Sequence, residues 1–150
     1  MLRPRQILLI GATGRIGSRT AKLLVEQGGA RVRALVRNAG NARVVLPAAV
    51  ELVAGDLARA DTLPGALTDV DAVLLVVPVS PQQAELEGNL IRAAVSADAA
   101  TLIVKVSGLA TYADSLVDSG RRHAQTEALV RASGLPFETV SVTMNSPSNW

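Results

Sequence analysis

The chain has 150 residues, 49% hydrophobic and 19% charged, which supports one packed core and excludes a disordered chain. Aromatic residues make up only 2%, and 15 Lys and Arg against 13 Asp and Glu give a scattered formal charge of +2. That is not the clustered basic, aromatic-laced surface of a nucleic-acid partner. With no cysteine and one histidine, disulfides, thiolate catalysis and the usual metal sites are excluded as well.

The segment 1–5 carries no cleavable signal pattern and leads straight into a strand. No apolar run approaches the roughly 20 residues of a membrane span. The expectation is a soluble, cytoplasmic protein with no membrane partner. Apolar runs of strand length then alternate with helix-period segments along the chain. The first strand spans 6–10 and stops at Gly11. A helix over 15–27 follows, with Ile16, Thr20, Leu23 and Leu24 facing inward and Gly28-Gly29 ending it. A second strand covers 32–36, a short helical or irregular piece 39–46, a third strand 50–54 and a helix 59–67.

The most apolar strand, 72–77, lacks polar alternation, which predicts a central place with both faces covered. Pro78 and Pro81 punctuate the turn after it. Pro81 suits the first turn of a helix that runs to Ala97, with Leu86, Leu90, Ala93, Ala94 and Ala97 inward. A fifth strand at 101–106, a polar loop to 119, a helix to Ala132 and a sixth strand at 137–142 complete the pattern. Parallel strands joined by right-handed crossovers predict a doubly wound α/β sheet of the Rossmann type. It has three layers, strand order 3-2-1-4-5-6, and forms a single domain over 1–150.

Between the first strand and the first helix lies Gly11-Ala12-Thr13-Gly14-Arg15-Ile16-Gly17, with glycines at intervals of three. In such a loop the first glycine turns the chain sharply and the second lets backbone approach a pyrophosphate. The third lets helix pack on strand. Helix N-terminal amides then face the phosphates with partial positive charge behind them. An ordinary glycine-rich turn is the bland alternative, and the context of strand before and helix after argues against it. No Gly-Lys-Ser/Thr follows, so an NTPase phosphate loop is excluded.

At the end of the second strand, an acid would bind a ribose 2′-hydroxyl, whereas arginine suits a 2′-phosphate. Arg37 stands there, and no Asp or Glu lies between Arg31 and Ala49. A guanidinium grips a doubly charged phosphate that an acid would repel, so NADP(H) is expected over NAD(H). Arg15 is placed to assist from the loop. The alternative is a solvated surface arginine. After the third strand, Asp56 is a candidate acceptor for an adenine amino group with Leu57 against the ring; a turn or capping aspartate is the alternative. Val77 and Pro78 end the fourth strand where a nicotinamide ribose lies in this geometry, unless Pro78 simply terminates the strand.

These motifs together resemble the NmrA-like NAD(P)-binding group of atypical short-chain dehydrogenases/reductases. The resemblance is carried by 11–17, Val-Arg-Ala-Leu-Val-Arg at 32–37, Gly-Asp-Leu at 55–57, Lys105-Val106-Ser107 and the stretch from His123 to Phe137. It implies NADP(H) bound by the glycine loop (Gly11, Thr13, Gly14, Arg15, Ile16, Gly17) and Arg37. It also implies adenine contacts from Asp56 and Leu57, and Pro78 and Ser107 facing the cofactor. Family members usually continue with a segment that completes the sheet and builds the substrate pocket. They also tend to show Arg-Pro where this chain has Ser141-Val142, and Asn149-Trp150 looks like the start of that continuation. The chain is therefore expected to be a shortened form without the C-terminal substrate region.

Carbonyl reduction commonly uses a tyrosine with a lysine one helical turn on, the ammonium lowering the phenol pKa. Tyr112 is the only tyrosine and the corresponding position holds Leu116, so that dyad is absent. Ser107, Tyr112 and His123 remain as catalytic candidates, each with a structural alternative: a turn serine, a packed loop residue, a structural helix histidine. Hydride transfer to a quinone needs proximity and little protein acid. Two functions follow: an NADP(H)-dependent reductase of quinones or similar small acceptors, or a non-catalytic dinucleotide redox sensor or inactive relative. Apolar surface exposed by a shortened domain predicts a homo-oligomer.

Overall fold

The computed structural model describes residues 5–97 and 101–142. The opening segment 1–4 and Asn149-Trp150 lie outside the described residues. Six strands form one parallel sheet: β1 (Arg5–Ile10), β2 (Ala30–Val36), β3 (Glu51–Ala54), β4 (Ala72–Leu75), β5 (Leu102–Gly108) and β6 (Phe137–Val142). Their order is β3-β2-β1-β4-β5-β6, as the alternating pattern predicts. The connections are α1 (Arg15–Gln27), α2 (Ala39–Val45), a 3₁₀ turn (Ala60–Thr62) running into α3 (Leu63–Leu67), α4 (Gln83–Ser96) and α5 (Asp118–Ala132).

Strand alternation sorts the core into two layers. Leu8, Ile10, Val73, Leu75 and Ile103 pack against Leu63 and Leu67 of α3, Leu90 and Ile91 of α4, and Val130 of α5. On the other face Leu9, Val32, Ala34 and Val36 pack against Ala21 of α1 and Ala42 of α2. Each fully buried leucine contributes on the order of 1.5–3 kcal/mol relative to exposure. β1 and β4 are the two central strands, which places the reversal of strand order between their C-terminal ends.

Three expectations are corrected. The apolar run at 72–77 is a strand only through Leu75, because Val76 and Val77 leave the sheet toward the crevice. Its coverage is uneven: Val73 and Leu75 are buried while Ala72 and Leu74 are half-buried, Leu74 packing against the second core layer. The helices of that layer pack mainly on β1, β2 and β3, and Val140 of β6 is left exposed. In α1, Leu23 faces solvent. The buried positions are Gly17 and Ala21, supported by Leu24 and Val25, because small residues let the helix lie close to the sheet. In α4, Pro81 precedes the helix and Ala97 is exposed. The buried stripe starts with two polar residues, Gln83 and Glu87.

Candidate functional site

The C-terminal ends of β1 and β4 open onto a cleft of about 590 Å³, within the roughly 300–1,000 Å³ typical of small-molecule sites. Its floor is the glycine loop. Gly11 has a φ of 71°, and a Cβ there would collide with the Val76 carbonyl oxygen. A Cβ on Gly17 would overlap the Gly11 carbonyl oxygen and stand 2.7 Å from the Ala12 Cα, so α1 packs directly onto the loop. Gly14 is different: its Cβ would meet only the Gly11 oxygen at 3.4 Å, an ordinary contact. Nothing among the described residues demands glycine at 14, and the position leaves the backbone bare toward a ligand. α1 begins there with no side-chain cap and no acid in its first turn. The first turn therefore presents the partial positive charge of the helix terminus with no acid beside it.

The walls come from the ends of the neighbouring strands. Arg37 is the first residue past β2; it is exposed, and no carboxylate or carbonyl among the described residues engages it. Asn38 caps α2, its Oδ1 accepting the Asn41 N–H at 2.9 Å. Asp56 and Leu57 line the cleft after β3, and Val77, Pro78 and Ser80 line it after β4. Asp56 Oδ1 accepts the Ala58 N–H at 2.9 Å, so the aspartate serves the turn while its side chain stays at the cleft wall. A smaller hollow of about 300 Å³ adjoins the cleft, with Arg37 and Arg59 both on its rim.

Of the residues picked out from the sequence, Gly11, Thr13, Arg37, Asp56, Leu57, Val77 and Pro78 converge on this cleft. Gly14, Arg15, Ile16 and Gly17 form the loop and helix start beside it, and Ser107 does not line it. Sequence reasoning missed Asn38, Asn41, Ser80 and Arg59. An Asn at the entrance to a helix is a legible capping signal; Arg59 carries no signal, because only the fold of the turn after Asp56 brings it opposite Arg37.

A second cluster lies at the ends of β5, α4 and α5. Ser107 is buried, and its hydroxyl donates to Glu127 Oε1 at 2.5 Å. Lys105, 0% exposed, places its ammonium 3.0 Å from Oε1 and 2.9 Å from Oε2 of Glu87, also 0% exposed. Gln83 Nε2 stands 2.9 Å from Glu87 Oε1 and 3.3 Å from His123 Nδ1. His123 is only 7% exposed, and burial followed by the Lys105 charge pushes its pKa below the ordinary value, with Glu127 opposing. Tyr112 sits on the loop before α5, 51% exposed, with no lysine partner among the described residues. Among the described residues no helix is long and apolar enough to cross a membrane, and no group of acids and histidine is placed to hold a metal.

Comparison with known proteins gives the same picture. A family model described as NAD(P)H-binding matches residues 11–145. An NAD(P)H azoreductase from Xenophilus azovorans is 37% identical over 134 residues, 89% of this chain and 46% of the relative. The structure of an NADPH-dependent quinone oxidoreductase (QOR2) from Escherichia coli, complexed with NADPH, superposes with a TM-score of 0.80. It is 26% identical and covers 89% of this chain and 47% of that one. The triphenylmethane reductase of Citrobacter sp. shares the fold at a TM-score of 0.83 and 22% identity, covering 96% of this chain and 51% of that one. The chain thus spans about half the length of the relatives it matches. A six-stranded parallel sheet, a glycine loop with a steric reason for two of its glycines, and a family match over most of the sequence agree: the chain belongs to the NAD(P)H-binding family.

Proposed function

We propose that the chain is the NADP(H)-binding domain, spanning 1–150, of a cytoplasmic reductase of the NmrA-like lineage acting on quinones or similar small acceptors. The observation that carries the cofactor preference is Arg37, exposed at the end of β2 beside the cleft with no protein partner among the described residues. A 2′-phosphate there gains charge-assisted hydrogen bonds, and Arg59, paired with Asp61 at 3.4 Å, lines the same hollow. The first turn of α1 and the bare edge at Gly14 would hold the diphosphate. Asp56 and Leu57 hold the adenine end, and Val77 and Pro78 flank the nicotinamide ribose. When bound, the dinucleotide supplies a hydride; the protein's part is to bind, orient and exclude water.

The names of the relatives support this reading, since one is an NAD(P)H azoreductase and another an NADPH-dependent quinone oxidoreductase. Oxidation of NADPH followed spectroscopically with a small panel of quinones tests it, and no turnover above the buffer rate rejects it. Binding without turnover would favour a dinucleotide sensor, which fits the commitment of Ser107 to Glu127 and the lone Tyr112. The incompletely covered β4–β5–β6 face also supports self-association. A monodisperse monomer by light scattering would remove that part.

A further inference from the structure

The buried cluster at β5, α4 and α5 dictates the chemistry of its own histidine. Glu87, sealed from water against the Lys105 ammonium, is an ionised carboxylate and therefore an acceptor only. Gln83 must then turn its amide nitrogen toward Glu87. Flipping the amide would set Oε1 against the carboxylate, acceptor to acceptor. The same nitrogen reaches His123 Nδ1, so its second hydrogen points there and Nδ1 is an acceptor. The proton of the neutral ring is left on Nε2. That atom lies on the Gly108 side, 3.4 Å from where a Cβ on Gly108 would stand. It has no hydrogen-bond partner among the described residues and is not among the sealed polar atoms that lack one. The charged groups around the ring are Lys105 from β5, Glu87 from α4, and Glu127 from its own helix. A Cβ at 108 would stand 3.1 Å from His123 Cδ2, so glycine there lets the ring edge sit close to the end of β5.

We propose that Lys105, Glu87 and Gln83 are positioning residues that lock His123 in its neutral Nε2–H form, presenting that N–H as a hydrogen-bond donor to the carbonyl oxygen of an electron acceptor at the C-terminal end of β5. The donor half rests on the reductase reading; the locked form does not. A neutral imidazole does not surrender its remaining proton, so the ring polarises the carbonyl and stabilises the negative charge that hydride addition leaves on oxygen. One hydride is added to the acceptor, the dinucleotide is oxidised, and the proton that completes the reduction comes from water.

His123 is the only histidine in the chain, so ring-nitrogen NMR of the protein without cofactor reports one residue. The expected spectrum at neutral pH shows a protonated Nε2 and an unprotonated Nδ1. Gln83→Glu, which replaces the amide donor with an acceptor, moves the proton to Nδ1. A wild-type ring with the proton on Nδ1, or one exchanging freely between both forms, overturns the proposal even if the variant does not fold. In the quinone assay, His123→Phe lowers kcat by about 10²-fold with NADPH affinity unchanged; an unchanged kcat overturns the donor role. The locked form seen without any turnover in the wild type would reject the reductase reading and the donor role together, leaving the relay standing.

Discussion

The cleft at the glycine loop and the buried cluster at β5, α4 and α5 treat their polar groups in opposite ways. At the cleft the polar groups face outward: α1 has no side-chain cap or first-turn acid, and Arg37 has no partner among the described residues. Around β5, α4 and α5 polar side chains close on one another: Lys105 on Glu87, Gln83 on Glu87 and His123, and Ser107 on Glu127. Donors left open in a cleft wait for a ligand. A closed network instead fixes the geometry and charge of the residue at its edge.

The largest effect should come from breaking the closed end. Glu87→Ala leaves the Lys105 ammonium buried and unpaired and should cost about 3–5 kcal/mol in urea unfolding. Replacing both partners by apolar residues, Lys105→Met with Glu87→Leu, should cost far less, since an ion pair and a packed apolar pair are often near-equivalent. Equal losses in the two proteins would mean that the cluster is held by packing rather than charge. At the open end, Gly17→Ala forces a methyl into the Gly11 carbonyl and should destabilise by about 1–3 kcal/mol while abolishing dinucleotide binding. Arg37→Glu should weaken NADPH by about 1.5–3 kcal/mol and leave NADH and fold stability nearly unchanged. Equal weakening of both coenzymes would reduce Arg37 to a general surface cation.

The smallest effect is a pH dependence from His123. Its folded pKa lies below 6.5, first through burial and then through Lys105, so the unfolded chain binds the proton more readily. The contribution is complete above 6.5 and is lost as pH falls toward the lower folded value. Urea midpoints at about pH 5 and pH 7.5 should show this slope, and His123→Gln should flatten it.

The open end was legible in the sequence because its physics is local. Spaced glycines between a strand and a helix, and an arginine directly after Val36, are read from neighbours in the chain. The closed end was not. Gln83 and Glu87 follow the helical spacing of Leu90, Ile91 and Ala94, yet a search for apolar periodicity passes over polar residues on an inner face. Lys105, in an otherwise apolar strand, signals a buried partner without naming it, since Glu87 lies on the preceding helix. The same reliance on apolar pattern put Leu23 inside, where the small Gly17 and Ala21 make the close contact instead.

The central claim is a 2′-phosphorylated dinucleotide lying along the glycine loop with its phosphate at Arg37. Titration calorimetry of the wild-type chain and Arg37→Glu with NADPH and NADH tests it most directly. The account predicts wild-type binding of NADPH tighter than NADH, with that advantage lost in the variant. No heat with either coenzyme, or equal affinities that the substitution does not change, would contradict it.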